Sequence, residues 1–409
     1  MRVARQTGYD RLVRRCLRRW IPADHAPWRR VSAWSNVSRQ CWYDWRWQWR
    51  HLIRTTVDLE QLGRLRPDVA ESLRSVAVVY PVVVSPYYAS LMDPDDPADP
   101  IRRQAVPDLE EVAGLTDLSP DPLGERRLEV VPGLIHRYTD RVLLIVSNMC
   151  STFCRHCFRK RILGRPGVAT AVRHLETAVD YIRRHPEVRD VILSGGDPLV
   201  LPTSVLARLL RALRSIPHVE IIRLGTRVPV TLPMRVWDPS LLAVLDRYGP
   251  IWCLTQFNHP REVTPETHAT VQMLLRVGVP VLNQAVLLRG INDDVETQRA
   301  LHRALVRACV KPYYLHHTDP VRGTHHFRVS LGRGLEIMEG LRGHISGLAI
   351  PTYVVDLPDG GGKVPLLPDY RVAVRPDVWV FRNHRGELFA YGVQPTSNET
   401  RRLDASDDA

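Results

Sequence analysis

No apolar run in this 409-residue chain approaches the eighteen or so residues that a membrane-spanning helix needs. The arginines near the N-terminus are followed by no apolar h-region, so no secretory signal is expected. Cysteine is scarce: of seven, Cys16, Cys41, Cys253 and Cys309 are scattered singly, which does not make a disulfide framework. These absences point to a reduced, cytoplasmic setting without a membrane. The glycine-rich Gly360-Gly361-Gly362-Lys363 is not a phosphate-cradling loop, because Val364 follows the lysine and the leading glycine spacing is wrong.

What is present is an ordinary globular balance, 44% hydrophobic and 24% charged, with a formal net charge of +12. That charge raises nucleic-acid binding. Yet the arginines are spread along the whole chain, and the densest clusters, such as Arg14-Arg15 with Arg18-Arg19, lack interleaved aromatics. A basic nucleic-acid-binding protein is therefore the distant alternative.

Residues 1–60 read as helical, and the tryptophan-dense Trp42-Tyr43-Asp44-Trp45-Arg46-Trp47-Gln48-Trp49 reads as an aromatic anchor onto a larger body. From Tyr80 to Pro107, proline and aspartate predict an extended surface connector and no helix. After residue 130, strand-like runs near 141–147, 189–194, 219–224, 251–256, 280–288 and 312–316 alternate with helix-like stretches at 170–184, 202–215, 238–247, 264–277 and 295–309. Ala171, Leu175, Ala178, Val179 and Ile182 mark one helical face, and Thr264-Pro265 reads as a cap with proline at the first helical position. The alternation predicts an α/β fold with a parallel sheet, either a partial barrel or doubly wound. Ligands then sit at the carboxyl ends of the strands. Beyond about 350, Val378 to Phe381 and Leu388 to Tyr391 read as a hairpin around Asn383-His384-Arg385-Gly386, and 393–409 as a polar, disordered tail.

The chemistry concentrates in Cys150-Ser151-Thr152-Phe153-Cys154-Arg155-His156-Cys157, after the first strand. Four-iron clusters normally take four thiolates, and no fourth cysteine lies nearby. A zinc ion would need His156 as its fourth ligand, although structural zinc sites usually draw on two separate pairs. Three unrelated core cysteines are the remaining alternative. A cluster with one open iron is the sharper reading, because that iron can bind a small molecule. Ser194-Gly195-Gly196-Asp197-Pro198 ends the second strand, either as a ligand-approaching turn or as a tight strand-to-helix turn. Lys363 on its glycine loop is either a Schiff-base lysine or a solvent-facing one.

The C-x3-C-x2-C spacing resembles the signature of radical S-adenosylmethionine (radical SAM) enzymes. Over about Trp42 to Tyr391 the chain resembles the lysine 2,3-aminomutase family, which also uses pyridoxal phosphate (PLP). The resemblance rests on Asp99-Pro100-Ile101-Arg102-Arg103-Gln104, Pro132-Gly133-Leu134-Ile135-His136-Arg137-Tyr138, Phe257-Asn258-His259-Pro260 and Leu335 to His344. It implies a partial (β/α)6 radical SAM barrel over 131–345. A helical N-terminal region and connector precede it at 1–130, and a small β-rich PLP-lysine segment follows at 346–392.

It implies Cys150, Cys154 and Cys157 as ligands of a [4Fe–4S] cluster, and Ser194, Gly195, Gly196 and Asp197 at S-adenosylmethionine. Lys363 matches the PLP lysine, and Arg137, Arg141 and Gln284 match residues around the PLP phosphate. Arg159 matches the arginine for the substrate carboxylate, and Asp319 with Asp356 the pair for a distal ammonium. The implied activity is isomerisation of L-lysine to β-lysine, by a homo-oligomer reduced by a flavodoxin- or ferredoxin-type donor. The open alternatives are an arginine 2,3-aminomutase or a mutase of protein-linked lysine.

Some positions depart from the family pattern. Gln256 stands where histidine is usual, Asp359 replaces a glycine, and His316-His317-Thr318-Asp319 replaces a Cys-Asp-Leu-type stretch. The C-terminal cysteines that form an extra zinc site in some relatives are missing.

Overall fold

The computed structural model describes residues 2–113, 118–166, 170, 174–393 and 400–403. Its centre is one ten-stranded sheet whose strands neighbour one another in chain order. They are β1 (Glu129–Val131), β2 (Leu134–Tyr138), β3 (Arg141–Ser147), β4 (Asp190–Gly195), β5 (Ile221–Gly225), β6 (Ile251–Thr255), β7 (Val281–Val286), β8 (Lys311–His316), β9 (Thr352–Leu357) and β10 (Gly362–Pro365). From β3 to β9 every pairing is parallel. β1, β2 and β10 are antiparallel additions at the two ends, and the sheet order does not close, so the barrel is partial.

The six strands expected from the sequence are β3 to β8, and β9 carries the parallel run across residue 346. Two features hid this extension. Its crossover lies in the Leu335–His344 stretch, which was recognised by resemblance and not by period. The strand itself sits immediately before the glycine loop. The β1–β2 hairpin turns at Pro132-Gly133, where Gly133 has φ +78°.

Helices fill the crossovers. After α1 (Arg2–Trp20) come α2 (Leu175–Arg184), α3 (Thr203–Arg214), α4 (Pro239–Arg247), α5 (Pro265–Arg276), α6 (Val295–Arg307) and α7 (Leu331–Leu341). In α3 the apolar residues Leu206, Leu209, Leu210 and Leu213 fall at i, i+3, i+4 and i+7, and all four are buried. They face the same core as Val191, Leu193, Ile222 and Leu224 of the sheet. Thr264 caps α5 by accepting from the Thr267 amide, with Pro265 at the first helical position. In α2, Ala178, Val179 and Ile182 are the buried face; Ala171 lies outside the described residues.

The aromatic anchor is a packed one. Trp42 is fully buried and stacks on Trp28 with ring centroids 5.0 Å apart, while Trp20 at the end of α1 stacks on His268 of α5 at 4.0 Å.

The Tyr80–Pro107 connector differs from expectation, since it is neither wholly extended nor superficial. It holds two short helices, Pro86–Ser90 and Pro100–Ala105, capped by the side chains of Ser85 and Asp99. The prolines that read as breakers each sit at the first turn, where no amide is needed. Tyr87, Tyr88 and Ala89 are fully buried.

The expected hairpin is present as β12 (Val378–Arg382) and β13 (Leu388–Gly392), flanked by β11 (Arg371–Val374) and β14 (Arg401–Arg402) in a separate antiparallel sheet. Arg401 and Arg402 pair with Ala390 and Phe389, so this part of the tail is a strand and not disordered. Residues 394–399 and 404–409 lie outside the described residues.

Candidate active site

The cysteine loop leaves the carboxyl end of β3 and is tied down from beneath. The amides of Phe153 and Arg155 donate to the carbonyls of Val83 and Gln104 at 2.8 and 2.9 Å. Arg155 forks onto the fully buried Glu111 at 2.8 and 2.7 Å, and Lys160 reaches the same carboxylate at 2.6 Å. Here one anion balances two buried cations. Glu111→Gln should therefore cost about 3–5 kcal/mol, the scale for breaking a buried ion pair by removing one partner. Thermal unfolding of the purified variant measures it.

Cys150, Cys154 and Cys157 are all free and half-buried. Burial pushes the Cys150 thiol well up and Cys157 to about 12, with charge on the neighbouring cysteines adding in the same direction. Without a compensating cation such thiols stay protonated and poor ligands; a metal centre reverses that balance. Among the described residues no three His, Cys, Asp or Glu side chains are gathered as one metal ion would need. Three free thiols on one loop would serve as ligands of an iron–sulfur cluster with one position left open.

A buried polar cage faces the loop. Arg227 donates through Nη1 to Cys154 Sγ at 2.8 Å, and through Nη2 to Glu262 and Gln104, both at 2.6 Å. Gln256 lies 2.8 Å from His156 Nε2 through its amide nitrogen, and Asn258 donates to Gln104 at 2.9 Å. Sequence reading did not single out Arg227, Glu262 or Glu111. Gln104 and Asn258 were visible only as members of the resembling stretches.

The glycines of Ser194-Gly195-Gly196-Asp197 are dictated by close approach. A Cβ on Gly195, where φ is +111°, would meet Ser147 O at 2.5 Å, and one on Gly196 would collide with the Met149 carbonyl. Their neighbourhood is the entry to the cysteine loop: Asp197 N donates to Met149 O at 2.8 Å. The Asp197 carboxylate is filled by protein donors, namely Thr226 Oγ1 and the amides of Leu199, Arg227 and Val228. It shapes the turn that a ligand would meet.

Arg159 is buried and engaged. Its Nη2 donates to Glu125 Oε1 at 2.6 Å, and Nη1 donates to Ser194 Oγ at 3.0 Å. Glu125 carried no signal in the sequence, being one acid in a loop.

A second group of charges gathers around Lys363, at the start of β10. Its Nζ donates to Asp356 Oδ2 and stands 3.2 Å from His316 Nδ1, and its backbone amide donates to Tyr138 Oη at 2.8 Å. Arg137 Nη1 reaches Asp356 Oδ1 at 3.5 Å. Burial works against the Asp356 carboxylate, but the His316 hydrogen bond and the Lys363 charge hold it well below the ordinary range. Asp319 behaves oppositely: burial and then Asp356 push it up to about 7, with Lys363 and Arg137 only partly offsetting them. Glycine flexibility shapes the loop before the lysine, and Asp359 within it takes a left-handed φ of +51°.

The expected phosphate residues are less concentrated. The Arg137 and Arg141 guanidinium groups lie over the Tyr138 ring at 5.4 and 4.8 Å, and Arg141 also forks onto the exposed Asp140. Gln284 on β7 stands opposite Tyr314 of β8. Arg141 opens β3 and Cys150 follows its end, so roughly 20 Å of strand separates the arginines from the cysteine loop.

With this geometry in view, comparison with known proteins is decisive. The Radical SAM superfamily model matches residues 144–301, and the Lysine-2,3-aminomutase model matches 338–407. The L-lysine 2,3-aminomutase of Bacillus subtilis is 45% identical over 89% of this chain and 77% of its own length. That of Clostridium subterminale is 45% identical over 89% of this chain and 87% of its own. The chain belongs to the lysine 2,3-aminomutase family. Membership alone leaves the substrate open, because a glutamate 2,3-aminomutase of Clostridioides difficile is also 40% identical over 88% of this chain and 85% of its own. The residues around Lys363 bear on that choice. Their chemistry also fits the family's PLP: a primary amine on a glycine loop, with two guanidinium groups nearby.

Proposed function

We propose that this chain is a PLP-dependent radical SAM L-lysine 2,3-aminomutase, moving the α-amino group to C3 to give β-lysine. The observation that carries the substrate is the carboxylate pair Asp319 and Asp356, half-buried and close enough for the charge on Asp356 to raise Asp319, with the Lys363 ammonium paired to Asp356. Two buried carboxylates are costly without a cation. A substrate with a distal ammonium supplies one when Lys363 is otherwise engaged, and a substrate with a distal carboxylate would add a third like charge. Arginine, or a lysine borne on a protein, is the second reading, because either also presents a cation.

When bound, the cluster with S-adenosylmethionine supplies the radical that abstracts hydrogen from C3, and PLP supports passage of the amine from C2. Cys150, Cys154 and Cys157 would hold the cluster, with Arg227 donating to the Cys154 sulfur. Ser194, Gly195, Gly196 and Asp197 would bound the S-adenosylmethionine site. Lys363 would hold PLP, with Arg137, Arg141 and Gln284 toward its phosphate, guanidinium forks being suited to oxyanions. Arg159 would offer the substrate carboxylate its Ser194-facing nitrogen while Glu125 fixes the other side of the fork. Among the described residues no helix is long and apolar enough to cross a membrane. A cytoplasmic setting, a flavodoxin- or ferredoxin-type donor and a homo-oligomer complete the reading.

The pH dependence tests the ammonium site. Asp319 gains a proton below about 7 and then no longer offers its charge. KM for lysine should rise as the pH falls through that value, and Asp319→Asn should show a raised KM without this limb. A KM indifferent to Asp319 would remove it from the site. Stability carries the same signature in the opposite sense. The native state keeps a proton that the unfolded chain releases above about 4, so this group's contribution falls from pH 4 to 7 and is constant above.

A further inference from the structure

His316 is one of the departures from the family pattern, and it stands in the middle of the Lys363 cluster. Its ring, only 19% exposed, lies edge-on to Tyr314 with centroids 5.6 Å apart. A single nitrogen, Nδ1, is 3.2 Å from Lys363 Nζ and 3.4 Å from Asp356 Oδ2. This one atom therefore faces both an ammonium and the carboxylate that pairs with it. We propose that His316 is the proton acceptor that converts the Lys363 ammonium to the free amine needed to condense with the aldehyde of PLP. This rests on the reading of Lys363 as the PLP lysine.

The ammonium gives one proton to Nδ1, and the freed Nζ lone pair forms a bond to the carbonyl carbon. The carbonyl oxygen then departs as water, taking one proton from the attacking nitrogen and the one that Nδ1 held. The carbon–nitrogen double bond that remains keeps a proton on nitrogen, and His316 returns to neutral.

Burial and the Lys363 charge lower the imidazole's affinity for a proton, so at neutral pH the ring is neutral; with its hydrogen on Nε2 it turns the Nδ1 lone pair to Lys363, and with its hydrogen on Nδ1 it donates to Asp356. Once Nδ1 is protonated, Asp356 on β9 is within reach to stabilise the imidazolium. The other charged and titratable groups facing this corner include Arg137 and Tyr138 from β2, Asp319 from the loop after β8, and Tyr314 from β8 itself. Asp356 is held ionised by its hydrogen bonds, so it can receive the imidazolium without competing for the proton.

The test uses cluster-loaded protein freed of PLP. PLP is added, the mixture is quenched with borohydride at timed intervals, and the modified Lys363 peptide is quantified; Lys160 and Lys311 are the chain's other lysines. His316→Asn keeps an acceptor near the Nδ1 position but cannot carry a proton, and His316→Ala leaves a space that imidazole can enter. At pH 7 both variants should label roughly 100-fold more slowly than the parent, on the scale of general base catalysis. The deficit should shrink as the pH rises toward the range where alkylammonium groups lose a proton unaided, and added imidazole should rescue His316→Ala. Parent-like labelling of both variants would overturn the inference. So would a deficit equal at every pH and untouched by imidazole, since that is a merely structural effect. A parent protein unlabelled at Lys363 would instead overturn the PLP reading itself.

Discussion

Cys154→Ala protein, reconstituted anaerobically with iron and sulfide, is expected to retain no four-iron cluster and to convert no lysine. Two thiolates from one loop cannot hold a centre that already lacks a fourth cysteine. The loop itself should survive, because its anchors are Glu111, Arg155 and Lys160 and the backbone bonds to Val83 and Gln104. The variant also frees Arg227 from the sulfur while leaving its bonds to Glu262 and Gln104 in place. Circular dichroism should therefore match the parent while iron content and the paramagnetic signal of the reduced cluster are lost. A variant that keeps a full cluster and turns over would move the metal site elsewhere.

Lys363→Ala should give the complementary result: full cluster, no borohydride-trapped PLP, and activity down by roughly 10³-fold or more, the scale on which removal of a covalent catalytic group falls. The loss is local. Asp356 keeps Arg137 and His316 as partners when the ammonium is gone, so the sheet edge at β9 and β10 should hold. Retained covalent PLP would show that another amine does the work.

How far the site could be read in the sequence follows from how local each signal is. The cysteine spacing, the glycine turn after β4 and the parallel strands β3 to β8 are short-range patterns, and they stand where period and spacing placed them. The partners that make those residues useful are distant in sequence. Glu111 supports Arg155 and Lys160 across more than forty positions, Glu125 holds Arg159, and Arg227 reaches Cys154 from the far side of two crossovers. No periodicity joins such residues; only the fold does. The Tyr80–Pro107 misreading has a local cause. Ser85-Pro86 and Asp99-Pro100 are helix starts whose composition also matches a linker, and burial of Tyr87 and Tyr88 decides between the two. Asp319 and Asp356 were named through resemblance alone, and their opposite displacements come from the fold: burial and then Asp356 raise the one, while His316 and Lys363 lower the other.

The most direct test of the central claim is a competition on anaerobically reconstituted, reduced protein supplied with S-adenosylmethionine and PLP. Equal amounts of L-lysine, L-arginine and L-glutamate are offered, and their β-isomers are quantified. The account predicts β-lysine as the dominant product, with none from glutamate. β-Arginine alone would keep the acidic pair as a cation site but assign it to guanidinium. β-Glutamate, or no product from a protein with intact cluster and bound PLP, would contradict the reading of Asp319 and Asp356 as the site of a free amino acid's ammonium.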